Sequence, residues 1–218
     1  MKTILLTGPV RSFERWSREL GSTGWKVETR ALVETTSYED FVLPDPAELD
    51  WLVFTSRAAL EAVGFHADFG GKPVAVVGEA TASHARELGY DVRIVGSKDA
   101  ETLAHELSAP TKKRRVHWFH GNLAHGFAEA LSARGARVSS TEVYATRTAD
   151  FATPPATDAV FFASPSAVRA WAAKLPAPPH AIAIGATTLA AIKDQGWPTF
   201  SVLADPSPEA LVRALTEI

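Results

Sequence analysis

The sequence repeats itself at a nearly constant offset, and that repeat constrains the fold more than any other feature of the chain. Residues 50–56 (DWLVFTS) return as 158–164 (DAVFFAS), and residues 74–81 (VAVVGEAT) return as 181–188 (AIAIGATT). The turn Leu88-Gly89 returns as Gln195-Gly196. Ser56, Thr81 and Gly89 are separated from their counterparts by 108, 107 and 107 residues. A weaker echo joins Thr7-Gly8 and Gly24 to Val27 with His120-Gly121 and Gly135 to Val138. In the middle of the chain the Gly121 unit follows the Ser56 and Thr81 units. The matching Gly8 unit stands at the N-terminus, far from its Ser164 and Thr188 partners. The expected organisation is therefore a discontinuous domain of residues 1–34 plus 149–218, with residues 35–148 inserted as a second domain. Two segments cross between them, near 31–38 and 141–148. Both are rich in Thr, Val and Tyr, so a pair of linker strands is expected.

Within each repeat, short apolar runs alternate with stretches of helical spacing. Thr3 to Thr7, Trp25 to Thr29, Trp51 to Thr55, Pro73 to Val77, Asp91 to Val95, Val116 to Phe119 and Ala136 to Ser139 read as strands. Ala159 to Phe162, Ala181 to Ile184 and Thr199 to Leu203 complete about ten core strands. Val10 to Leu20, with Pro9 at a first helical position, and Pro208 to Ile218 read as helices. Runs such as Trp51 to Phe54 and Ala159 to Phe162 are apolar throughout, which marks strands buried on both faces. Alternation of strand and helix implies parallel sheets with right-handed crossovers. The fold class is α/β, with two similar doubly wound (flavodoxin-like) parallel-sheet domains joined by a two-stranded β linker.

Composition excludes several classes of function. The 218 residues contain no cysteine, which removes disulfides, iron–sulfur ligation and thiol chemistry. The first apolar run ends at Gly8-Pro9, too short for a secretory core, and no stretch approaches the ~20 apolar residues of a membrane span. A cytoplasmic protein without membrane attachment is expected. A net charge of -3 argues against a nucleic-acid partner. The one basic run, Lys112 to Arg115, precedes an apolar strand and reads as a solvated loop. His117 and His120 lie three apart on a strand, point to opposite faces and do not share a metal. No dinucleotide fingerprint, P-loop or nucleophile elbow is present.

What remains lies at strand ends. Ser56 and Ser164 each close an apolar strand and open a helix, and Ser164-Pro165 is an N-cap followed by Pro at the first helical position. Thr55, Gly78, Thr81, Ser166, Gly185 and Thr188 fall at the same edge, where ligands of open α/β sheets bind. Two facing domains lined this way suit a large polyanion held by backbone N–H groups and hydroxyls. His120 ends its strand on the same side. Tyr144, on the second crossing segment, has a phenol able to donate a proton.

The segments Phe54-Thr55-Ser56, Val77-Gly78 with Thr81-Ala82, Val143-Tyr144 with Thr146, Ser164-Pro165-Ser166 and Ile184-Gly185 with Thr187-Thr188 occur in this order. From Thr7 to Ala214 the chain resembles the uroporphyrinogen-III synthase family. The resemblance implies a lyase acting on hydroxymethylbilane, a linear tetrapyrrole with eight carboxylates. The terminal hydroxyl leaves as water, the fourth pyrrole ring inverts through a spiro intermediate, and the macrocycle closes, with no metal or cofactor. By similarity Tyr144 is the proton donor, Thr81 and Thr188 are cleft threonines, and the helix ends at Ser56 and Ser164 hold carboxylates. Arg11, Arg57, Gly121 and Thr187 join them as expected substrate contacts. A hinge that closes on substrate, a monomer, and transient contact with the enzyme that delivers the bilane are expectations of the same kind. The chain departs from the family at Thr7-Gly8-Pro9, where Thr-Arg-Pro is frequent, and near His125, where an arginine is frequent. The competing reading is a paralogue of the same fold that binds tetrapyrroles or another polyanion without turnover.

Overall fold

The computed structural model describes residues 1–8, 13–97 and 99–218. The chain divides into two compact units, residues 1–34 with 147–218 and residues 35–146. Each has its own parallel sheet and its own core.

Unit 1 contains β1 (Thr3–Thr7), α1 (Glu14–Gly21) and β2 (Lys26–Thr29) from the N-terminal segment. From the C-terminal segment come β9 (Ala159–Phe162), α6 (Pro165–Ala172), β10 (Ala181–Ala183), α7 (Ala186–Asp194), β11 (Phe200–Val202) and α8 (Pro208–Leu215). The sheet order is β11-β10-β9-β1-β2, with every neighbour parallel. Side chains alternate across it. Ile4, Leu6, Phe161 and Ile182 meet α1 and α8 on one face; Leu5, Val160, Phe162 and Ala183 meet α6 and α7 on the other. A fully buried Leu, Ile or Phe contributes roughly 1.5–3 kcal/mol. Both faces of β1 and β9 collect that gain, which is why these runs carry no polar alternation.

Unit 2 contains β4 (Trp51–Phe54), α2 (Arg57–Val63), β5 (Pro73–Val77), α3 (Glu79–Glu87), β6 (Asp91–Gly96), α4 (Ala100–Glu106), β7 (Arg115–Gly121) and α5 (Phe127–Ser132). β8 (Arg137–Thr148) and β3 (Val33–Ser37) begin or end at its boundary. The sheet order is β3-β8-β7-β4-β5-β6. Leu52, Phe54, Val76 and Phe119 face α2 and α3, whereas Val53, Ala75 and Trp118 face α4 and α5. Following the sequence repeat, β9, β10 and β11 correspond to β4, β5 and β6, and β1 and β2 to β7 and β8. Under that correspondence the two sheets share one order over five strands, with β3 an additional edge strand in unit 2, and the chain enters them at different strands.

One feature differs from the expected elements. Ala136 to Ser139 and the second crossing segment are not separate strands; they run together as the 12-residue β8. Ser139-Ser140-Thr141 contains no Gly or Pro, and β7 pairs with it as far as Tyr144, so nothing interrupts the extended backbone. β3 then joins the outer side of β8. Tyr38 N–H donates to Val143 C=O, and Ala149 N–H donates to Leu32 C=O, the descending register of an antiparallel pair. The helix expected from Val10 is described only from Glu14, since residues 9–12 lie outside the described residues. Among the described residues no helix is long and apolar enough to cross a membrane.

Candidate active site

Every core strand ends at the same edge of its sheet, and open α/β sheets bind ligands there, at the point where strand order reverses. In unit 2 the reversal lies between β4 and β7, where Phe54 is paired with Phe119. The residues just past it are Thr55 and Ser56 on one side, His120 and Gly121 on the other. Ser56 Oγ accepts from Ala59 N–H at 3.2 Å, an N-cap on α2. Trp118 Nε1 donates to Thr55 Oγ1 at 3.1 Å, which pins that side chain and leaves its hydroxyl proton free to donate. His120 Nδ1 lies 3.0 Å from Gly121 C=O. A carbonyl only accepts, so Nδ1 carries the proton and Nε2 is the atom left for another partner. The imidazole also stacks on Trp118, ring centres 4.2 Å apart. Arg57 is exposed and paired with Glu61 at 2.8 Å.

Gly78 opens α3 with φ of 77°, a left-handed backbone that favours glycine. Three residues on, Thr81 is buried. In unit 1 the same pattern recurs: Gly185 opens α7, and Thr188 is 1% exposed three residues later, beside an exposed Thr187. Neither the Thr81 nor the Thr188 hydroxyl has a hydrogen-bond partner among the described residues. No fully buried side-chain oxygen or nitrogen among the described residues lacks a partner. The remaining buried polar side chains are all bonded: Thr7 to Phe161 C=O, Thr111 to Leu107 C=O, and His117 to Ser139 and Thr141. Ser164 Oγ accepts from Ala167 N–H at 3.2 Å and lies 2.9 Å from Ser166 Oγ, with Pro165 at the first position of α6. The two repeats thus present matched small-residue ends: a serine cap, then a glycine, then a buried threonine.

Tyr144 is half-buried against the Phe54–Phe119 face of the unit 2 core, and its hydroxyl has no hydrogen-bond partner among the described residues. A Cβ on Gly121 would overlap its Cε2 and Cζ, so the phenol ring rests directly on Gly121. Asn122 brackets the same strand. Its N–H donates to Tyr144 C=O at 3.1 Å, and its carboxamide accepts from Thr146 N–H at 2.8 Å. Sequence reasoning had no signal for Asn122, a lone amide in a turn. Nor did it have one for the Trp118–Thr55 bond, which spans 63 residues. His117 is the other functional-type side chain of this strand, and it faces away from His120. It lies 3% exposed, and burial, followed by the nearby His120, pushes its pKa down to about 4. Arg11 lies outside the described residues. Among the described residues no cluster of His, Asp and Glu is arranged to hold a metal.

The model of the family described as uroporphyrinogen-III synthase HemD matches residues 14–213. The chain belongs to the uroporphyrinogen-III synthase family. A comparison with curated proteins finds no match. Among solved structures it is similar to the uroporphyrinogen-III synthetase of Helicobacter pylori, with a TM-score of 0.73 and 20% identity over the whole of both chains. It is also similar to a mutant uroporphyrinogen III synthase of the extremely thermophilic bacterium Thermus thermophilus, with a TM-score of 0.63 and 16% identity, again over both whole chains. At these identities the likeness is one of fold.

A Cβ on Gly8 would overlap Cε2 of Phe13. The Phe13 ring fills that space and meets Phe161 and Trp16 edge-on, at 5.9 Å in each case. His125 is exposed.

Proposed function

We propose that this protein is a uroporphyrinogen-III synthase, a cyclising lyase acting on hydroxymethylbilane. The observation that carries the reading is the family match across residues 14–213. The residues supply a coherent chemistry for it. The Tyr144 hydroxyl, free of any described protein partner, donates its proton to the terminal hydroxyl of the bilane. The carbon–oxygen bond breaks, water leaves, and the adjacent pyrrole nitrogen supplies the electron pair. The fourth ring attacks through a spiro intermediate and inverts, and the carbon that closes the macrocycle loses one proton as its ring regains aromaticity. The net change is the loss of one water. Because the pyrrole itself drives ionisation, the larger task is to hold a flexible chain so that the correct carbon attacks, a contribution worth up to about 7–11 kcal/mol in well-oriented systems.

The substrate carries eight carboxylates. Ser56 and Ser164 at their helix starts, the glycines Gly78 and Gly185, and the hydroxyls of Thr81 and Thr188 offer neutral donors for them. Thr55, Ser166, Thr187, Pro165, Arg57, Arg11 and the Nε2 edge of His120 complete the proposed contacts. The reading carries with it a cytoplasmic, monomeric enzyme of porphyrin synthesis.

Product isomer analysis tests it. Hydroxymethylbilane is generated in the presence of the protein, the products are oxidised, and the uroporphyrin isomers are separated. Uncatalysed closure proceeds without ring inversion to isomer I. A product that is mostly isomer III is expected. Isomer I alone, with the protein folded by circular dichroism, would overturn the synthase reading and leave a polyanion-binding paralogue in its place.

A further inference from the structure

The Tyr144 hydroxyl bonds to no described protein group, so its location is set by the packing of its ring and by its backbone. Besides the unit 2 core, the turn that follows β7 supplies both. The parallel register of β7 and β8 runs evenly from Arg115 opposite Arg137 to His120 opposite Glu142, then jumps to Gly121 opposite Tyr144. Val143 is skipped, and such an irregularity re-aims the side chains beyond it. Past that point β7 ends, yet β8 continues, and Asn122 stands in for the missing strand. Its main-chain N–H donates to Tyr144 C=O at 3.1 Å. Its side chain accepts from Thr146 N–H at 2.8 Å and donates to Thr146 C=O at 3.3 Å, as a neighbouring peptide group would. The ring then lies on Gly121, where a methyl group would overlap Cε2 and Cζ and sit 2.8 Å from the hydroxyl oxygen.

We propose that Asn122 and Gly121 are positioning residues for Tyr144: the amide fixes the strand that carries the ring, and the bare Cα sets the height of the hydroxyl. The inference rests on the proton-donor role assigned to Tyr144 above. A misplacement of about 1 Å at a reacting group costs on the order of a hundredfold in rate. Gly121→Ala is the sharper probe. The three atoms nearest its methyl all belong to the far end of the tyrosine side chain, which swings aside, and Gly121 has no left-handed φ. The fold survives while the hydroxyl moves.

The test combines a spectroscopic readout with kinetics. The chain has three tyrosines, so 3-fluorotyrosine labelling gives three fluorine resonances, and Tyr144→Phe identifies one of them. Gly121→Ala and Asn122→Ala are each expected to shift the Tyr144 line and to leave those of Tyr38 and Tyr90 in place. Each is expected to lower kcat on the order of tenfold to a hundredfold with KM changed less than about twofold. Asn122→Asp, which keeps the acceptor for Thr146 N–H, recovers part of the loss. In a Tyr144→Phe background, Asn122→Ala costs no further kcat, because it acts through the phenol. An unmoved Tyr144 line, or an Asn122→Ala loss of equal size in both backgrounds, would overturn the positioning role. A fully active Tyr144→Phe protein would instead overturn the proton-donor reading, and the purpose of the seat with it, even with the fluorine line shifted.

Discussion

Thr81 and Thr188 show how a buried residue can keep a hydroxyl that no described protein group uses. Each sits in the first turn of a helix with its methyl group and backbone buried, and each leaves its hydroxyl without a protein partner among the described residues. A polar group held this way gains nothing for the folded state, whereas a methyl of the same shape would lose nothing. Thr188→Val is therefore expected to leave the thermal midpoint unchanged or higher while lowering kcat/KM about tenfold. The same change at the exposed Thr187 has the smaller effect on turnover. Parallel melts and initial rates check this, and equal rate losses at the two positions would count against the buried hydroxyl. The position of Thr188 was legible because Gly185 and Thr188 repeat Gly78 and Thr81 at one offset. Its burial without a partner was not, since that depends on what the rest of unit 1 places around α7. The seat of Tyr144 was hidden for a related reason. Gly121 and Tyr144 meet only through parallel pairing and a skipped residue, and neither leaves a mark in local periodicity.

Pairs of elements carry the pH response. β7 and β8 are joined side to side by His117, whose Nδ1 meets Ser139 Oγ at 2.8 Å and whose Nε2 meets Thr141 Oγ1 at 3.0 Å. The neutral ring donates through one nitrogen and accepts through the other, and the two hydroxyls serve both roles. With its pKa at about 4 in the folded protein and an unfolded value of 6.5, His117 is neutral in both states above neutrality. As pH falls below about 6.5 the unfolded chain takes up a proton that the folded state refuses, so stability falls with pH until about 4. The full span amounts to roughly 3 kcal/mol, and the part lost between pH 7 and pH 5 to roughly 2 kcal/mol. Urea unfolding at the two pH values measures it. His180, also lowered by burial, acts in the same direction, so the comparison with His117→Gln isolates the β7–β8 contribution. A variant with the same pH slope as the wild type would sink the assignment. This pairing also explains why β8 outruns its expected end at Ser139. The polar run Ser139-Ser140-Thr141 looks like a break to a hydrophobic pattern, but Ser139 and Thr141 are there to bond a buried ring.

At the scale of the whole molecule, two sheets share one order over five strands with different points of chain entry. The two chain ends lie together in unit 1, where Lys2 Nζ donates to Ile218 C=O at 2.9 Å. Joining them with a short Gly/Ser linker and opening the chain at Val42, 82% exposed between Phe41 and Leu43, which pack on the unit 2 core, changes connectivity and deletes no core residue. The permuted protein is expected to melt within a few degrees of the natural one and to retain its isomer III product. A permuted protein that fails to fold would mean that chain order matters to these sheets beyond their packing. The shared order was readable from three repeated landmarks because strand ends and helix starts are written locally. Which residue of β7 stands opposite which residue of β8 was not, because register is set by contacts across the sheet.

Chain order has a further consequence during synthesis. β1 lies inside its sheet between β2 and β9, and its partner β9 lies far along the chain, with Ile4 paired to Ala159, 155 residues later. At translation speeds of about 5–20 residues per second, the ribosome needs roughly 8–30 s to make that partner. Through that interval the most apolar strand of the N-terminus waits with one edge open, while every strand needed for the unit of residues 35–146 has already been made. The middle of the message is therefore the first part of the protein to become solid, and the nascent chain must keep its own beginning out of trouble until its end arrives.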